Sequence, residues 1–119
     1  MALKFERLNV WKKALVLSHQ IHGVTRTFPR EELYVLTSQI KRAADSISLN
    51  IAEGSTGQTN AEFRQFLGYA VRSAIEVLAC LHLAQERGLV NEGAFRRLYE
   101  QTEEVLKMTQ GLRNSLRKD

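Results

Sequence analysis

Glu53, Glu62, Glu76, His19, His22, His82 and Cys80 carry the side chains that could do chemistry in this chain. Paired carboxylates on facing elements suit acid–base work or magnesium, so their partners and spacing come first. The ferritin-like di-iron site needs Glu-x-x-His on inward faces, and no glutamate here has a histidine three positions on. All-helical pyrophosphohydrolases hold magnesium with two acidic pairs, whereas Glu100-x-x-Glu103 has no second pair. All-helical ribonucleases of the Arg-x4–6-His type are excluded because no arginine precedes a histidine at that spacing. His19 and His22 are three apart and could share a metal, but their own helix supplies no cysteine or carboxylate. The Gly54–Gly57 loop lacks the Gly-Lys-Ser/Thr ending of a phosphate-binding loop. Cys80 lies within Val77-Leu78-Ala79-Cys80-Leu81 and reads as a buried inert thiol; His82, on the same apolar helix, reads as a core or interface histidine. No catalytic residue, cofactor site or metal site is therefore assigned, no small-molecule substrate is expected, and an enzyme is the least favoured class.

The elements that carry these residues follow from apolar spacing. The chain has 119 residues, 44% apolar and 25% charged, which suits one globular domain over 1–119. Asn9 is a candidate N-cap for a first helix over 9–27, with Val10, Trp11, Ala14, Leu15, Leu17, Ile21 and Val24 at helical spacing. Phe28-Pro29 ends it, because a residue before proline is pushed out of the helical region. A second helix over 31–53 carries Leu33, Leu36, Ile40, Ala43, Ala44, Ile47 and Ile51, with Gly54 placed as its C-cap. Asn60 is the candidate cap of a third helix over 61–87, whose core runs from Phe63, Phe66 and Leu67 to Leu81 and Ala84 and which Gly88 ends. Asn91 caps a fourth helix over 92–117, with Phe95, Leu98, Thr102, Val105, Thr109, Leu112 and Leu116 in alternating three–four spacing. Arg96–Glu100 and Glu103–Lys107 are its expected surface pairs. Short connections make consecutive helices antiparallel, so the expected fold is an all-α, up-down-up-down antiparallel four-helix bundle, a rod roughly 30–40 Å long.

The second and third helices also carry polar stripes: Gln39, Arg42, Ser46, Asn50 and Glu53 on one, Glu62, Gln65, Tyr69, Arg72, Ser73 and Glu76 on the other. Folding the chain near Gly57 brings level those residues whose numbers sum to roughly 115. This predicts an Arg42–Glu76 ion pair and sets Ser46 near Tyr69, Asn50 near Gln65, and Glu53 near Glu62. The stripe is either a solvated face, a partly buried register lock, or a catalytic group. Burial decides between the first two. Ala43, Ala44, Gly68, Ala70, Ser73 and Ala74 are small and permit close helix or subunit contact.

The net charge of +4 is a mild basic excess. Its candidate nucleic-acid contacts are Lys12, Lys13, Arg26, Arg30, Lys41, Arg64, Arg72, Arg96, Arg97, Arg113, Arg117 and Lys118. The N-terminus has no apolar signal core, and the stretch from Ala74 to Ala84, broken by Glu76 and His82, is too short for a bilayer. The cytoplasm, without a membrane partner, is the expected location.

The run from Gln39 to Gly54, with its Ala43-Ala44-x-Ser46-Ile47-x-x-Asn50-Ile51-Ala52-Glu53-Gly54 core, resembles the signature of a bacterial four-helix-bundle family. Its members are encoded in intervening sequences of large-subunit ribosomal RNA genes. Glu62 to Leu67, Ser73 to Glu76, Trp11 and Phe28-Pro29 continue the resemblance over nearly the whole chain. The resemblance extends to the accessory protein of diversity-generating retroelements. It implies a cyclic homopentamer of bundles with a basic surface that binds RNA or DNA, or a nucleoprotein. The alternative is a structural or adaptor bundle with a protein partner, which would leave an apolar patch exposed.

Overall fold

Helical spacing over most of the chain becomes four α-helices in the computed structural model, which describes residues 3–117. They are α1 (Asn9–Thr25), α2 (Ser38–Ser55), α3 (Asn60–Glu86) and α4 (Glu92–Ser115), and no strand occurs among the described residues. The apolar stripes meet in one core. Ala14, Leu17, Ile21, Ile40, Ile47, Ile51, Leu67, Val77, Leu81, Leu98 and Val105 are each at most 1% exposed. Each helix packs on its sequence neighbours, and α1 also closes on α4. The helices run antiparallel: Gln39 meets Glu76 and Ser46 meets Ser73, while Gln85 meets Glu92 and Arg64 meets Arg113. The result is a rod of 46 × 22 × 22 Å.

The ends of the helices depart from the reading by residue type. Asn9 is the first residue of α1 and caps nothing; extended Leu8 precedes it. Before that, a 3-10 turn over Lys4–Arg7 folds Phe5 edge-on to Trp11, with ring centroids 4.8 Å apart. α1 stops at Thr25, and Thr25 and Thr27 hydroxyls donate to the carbonyls of His22 and Val24. The second helix does not run regularly from residue 31. A 3-10 turn (Arg30–Glu32) and a π-turn (Leu33–Thr37) lead into α2. Glu32 accepts from the Leu36 N–H and pairs with Arg87 at 3.0 Å, so it ties this entry to the far end of α3.

Gly54 does not end α2. The helix runs on to Ser55, and Gly54 is buried against α3, where an added Cβ would stand 2.5 Å from the Phe66 Cβ. Its missing side chain serves helix approach. Thr59, not Asn60, caps α3: it is extended (φ −131°, ψ 158°) and its hydroxyl accepts from the Glu62 N–H at 3.1 Å. Thr59-x-x-Glu62 is a capping-box pattern that Asn60 masked. Two ends match the expectation. Gly88 takes φ +71°, its N–H bonding to Gln85 and that of Leu89 to Ala84, which terminates α3. Asn91 accepts from Ala94 N–H at 2.8 Å and starts α4.

Leu15 and Leu33, assigned to apolar stripes, are 50% and 43% exposed. Each lies at the edge of its stripe. α3 as a whole, unlike the shorter stretch within it, is long and apolar enough to cross a bilayer, with mean hydropathy 1.4 over its best window. In the bundle it packs against α2 and α4.

Candidate functional site

The polar stripes of α2 and α3 do meet, through neutral side chains and the Glu76 carboxylate. Ser73 Oγ donates to Ser46 Oγ at 2.8 Å. Asn50 Nδ2 donates back to the Ser46 carbonyl and hydroxyl, at 2.8 and 2.9 Å. Gln39 Nε2 donates to Glu76 at 3.2 Å. Gln65 bonds Tyr69 within α3, not Asn50 across the hairpin, and Ser46 faces Ser73 instead of Tyr69. The predicted Arg42–Glu76 ion pair does not form. Both side chains are exposed and line the same open groove of about 320 Å³, with Gln39 holding the carboxylate. Glu53 and Glu62 are exposed as well. Glu62 and Glu76 lie fourteen residues apart on one straight element, about 21 Å. The three glutamates therefore do not converge.

The basic residues divide by what already holds them. Arg64 Nη1 donates to the carbonyls of Arg113 and Leu116, at 2.7 and 3.0 Å, and Arg113 Nε donates to the Arg64 carbonyl at 3.1 Å. Both guanidinium groups thus clasp α3 to the end of α4, and Arg113 covers Gly68, where an added Cβ would meet its Nε at 3.4 Å. Lys13 pairs with Glu104 at 3.2 Å. Arg96 pairs with Glu92, one turn back, rather than with Glu100, while Lys107–Glu103 forms at 3.9 Å. The side chains of Lys12, Arg26, Arg30, Lys41, Arg72, Arg97 and Arg117 have no ion pair among the described residues. Lys118 lies outside them. Arg26, Arg30 and Lys41 come together around one cleft, joining the end of α1 to the start of α2.

His22 and His82 find partners that spacing could not show. Asp45, from α2, accepts hydrogen bonds from Ser18 Oγ and lies 3.0 Å from His22 Nε2, pinning α1 to α2. No group of three or more metal-binding side chains forms among the described residues. His82 is exposed and so is not a core histidine, and it stands edge-on to Phe95 and Tyr99, with centroids 5.3 and 5.5 Å away. Cys80 is 2% exposed. Burial, with Glu76 adding, pushes its thiol up from 9.0 to about 11. A thiol so held stays protonated at neutral pH and is a poor nucleophile.

Four helices around one core, with polar rungs between α2 and α3 and no convergence of Glu53, Glu62 and Glu76 among the described residues, define a helical-bundle protein. The family model for the 23S rRNA-intervening sequence protein matches residues 6–111, so the chain belongs to that family. No curated protein matches it. A crystal structure of a protein of unknown function from the S23 ribosomal protein family of Bacteroides thetaiotaomicron VPI-5482 shares the fold. Its TM-score is 0.83 at 23% identity, covering 89% of this chain and 96% of that one.

Proposed function

We propose that this bundle is a non-enzymatic, self-associating module that binds RNA or DNA through its unpaired surface cations. The observation that carries the reading is the set Lys12, Arg26, Arg30, Lys41, Arg72, Arg97 and Arg117, which no carboxylate among the described residues neutralises. Such cations release condensed counterions when they meet phosphates. Arg64 and Arg113 already donate to backbone carbonyls, so each has fewer free donors to offer a phosphate. Assembly as a ring of five comes from the family resemblance and would repeat each weak phosphate contact around the ring. The test is binding of a labelled RNA or DNA strand across a salt series. Affinity should fall steeply as salt rises, and no binding at low salt with micromolar protein would remove the proposal.

A second reading, an adaptor for a protein partner, is favoured by exposed Tyr34 (89%), Val35 (55%) and Leu49 (59%). Side chains of this kind on a monomer's surface suit a protein contact. Light scattering separates the two uses of this surface. A single-bundle mass would leave it to a foreign partner, and a multiple would assign it to self-association.

A further inference from the structure

The cleft between the end of α1 and the start of α2 has a volume of about 340 Å³, within the range of small-ligand sites. Arg26, Arg30 and Lys41 line it, with Phe28 and Leu33 as apolar wall and Thr37 beside them. No carboxylate lines it. Glu32, on the same turn, is bound to Arg87, and Asp45 is held by His22 and Ser18. The three cations have no ion pair among the described residues.

Thr37 is the second, independent observation. It is 6% exposed, and its hydroxyl is buried with no hydrogen-bond partner. A threonine in a regular helix bonds back to a carbonyl one turn earlier, as Thr102 and Thr109 do here at 2.7 Å. Thr37 closes the π-turn, and its hydroxyl makes no such bond. An unsatisfied buried hydroxyl costs free energy that a ligand acceptor can recover. π-turns of this kind recur at functional sites.

We infer that this cleft binds a phosphate monoester carried on a group of nucleotide size. Two guanidinium forks and an ammonium match the charge and oxygen geometry of a dianionic phosphate. Thr37 lines the cleft with its Oγ1 shielded from solvent, and rotation about χ1 brings the hydroxyl to one of the phosphate oxygens, while Phe28 and Leu33 cover the apolar part of the ligand. The carbonyl end of α1 opposes an anion, and Arg26, just beyond its last turn, offsets it. A 5′-phosphorylated strand end is one source of such a group and a free nucleotide the other. In its strand form the site rests on the nucleic-acid reading above.

The test is titration calorimetry at low salt with AMP and adenosine, and with one short DNA strand bearing either a 5′-phosphate or a 5′-hydroxyl. AMP and the 5′-phosphorylated strand should bind more tightly than their unphosphorylated twins. Thr37→Val, which keeps the shape and removes the hydroxyl, should weaken phosphate-dependent binding about fivefold, while Thr37→Ser should retain it. Arg30→Ala with Lys41→Ala should weaken it by about tenfold or more. A strand end that binds far above AMP names the strand as the source, and equal affinity names the nucleotide. Equal binding with and without the phosphate, or Thr37→Val equal to the parent, overturns the site. If both strands then still bind with steep salt dependence, the general nucleic-acid reading survives alone. If AMP binds through Thr37 while longer nucleic acid does not bind, the cleft survives alone.

Discussion

Gly54 and Gly23 show how one residue type takes opposite roles in two helices. At Gly54 an added Cβ meets the Phe66 Cβ, which is fixed to the α3 backbone, so the helices themselves must part. Gly54→Ala should lower stability by about 1–3 kcal/mol in chemical denaturation. Gly23 and Gly111 are helical, with nothing within 4 Å of an added Cβ. Either one changed to alanine should raise stability by about 0.5–1 kcal/mol, through helix propensity alone. Sequence could not separate these cases, since each is a glycine near polar residues and only the facing helix distinguishes them. Cys80 was legible, because an apolar run around a thiol implies burial. Its folded thiol ionises near pH 11, up from 9.0. The unfolded chain therefore loses that proton first as pH rises. The stability contributed by the neutral thiol is whole below about pH 9 and is lost towards pH 11. Alkylation of native Cys80 at pH 8 should run about a hundredfold below a free thiol, until denaturant exposes it.

Among the elements, α4 depends on contacts that residue type does not announce. Thr102 and Thr109 occupy core positions that spacing identified, and their hydroxyls bond back to Leu98 and Val105. The end of α4 is fastened by the reciprocal Arg64–Arg113 clasp. Read from sequence, both arginines were surface charges. Arg113→Ala should cost about 1–3 kcal/mol, because the Arg64 carbonyl loses a charged donor in a part-buried contact. That loss should be nearly the same in low and high salt, since the acceptors are carbonyls and not ions. Denaturation at both salt concentrations checks it. Helix ends were legible at Gly88 and Asn91. They were misread at Thr59 and Asn60, where two capping types stand side by side, and at Asn9 and Gly54, which lie inside the helices they were expected to bound. The π-turn before α2 left no signal, because it depends on how the Phe28-Pro29 corner must rejoin the core and not on any residue within it.

For the whole molecule, Tyr34, Val35, Leu49, Ile75 and Leu83 are large apolar side chains exposed on the bundle. Self-association through the groove that Tyr34 and Val35 line should give a mass several times that of the chain by light scattering. Tyr34→Asp should shift it towards one bundle, placing a charge where an apolar contact formed. A mass of one bundle for the parent chain would reject self-association, whatever the variant does.

The sequence by itself determined four helices, their stripes and their antiparallel order, because period 3.6 and short connections leave little else open. It also showed that the hairpin of α2 and α3 would be polar, though not in which register, since one turn of sliding exchanges Tyr69 for Ser73 opposite Ser46. The tertiary structure decided which charges were already satisfied. It engaged Arg64 and Arg113 with backbone carbonyls, gave His22 its Asp45, and drew Arg26, Arg30 and Lys41 around one cleft that Thr37 also lines. These are meetings between side chains on different helices, and helix periodicity fixes only which face each side chain occupies, not what stands opposite.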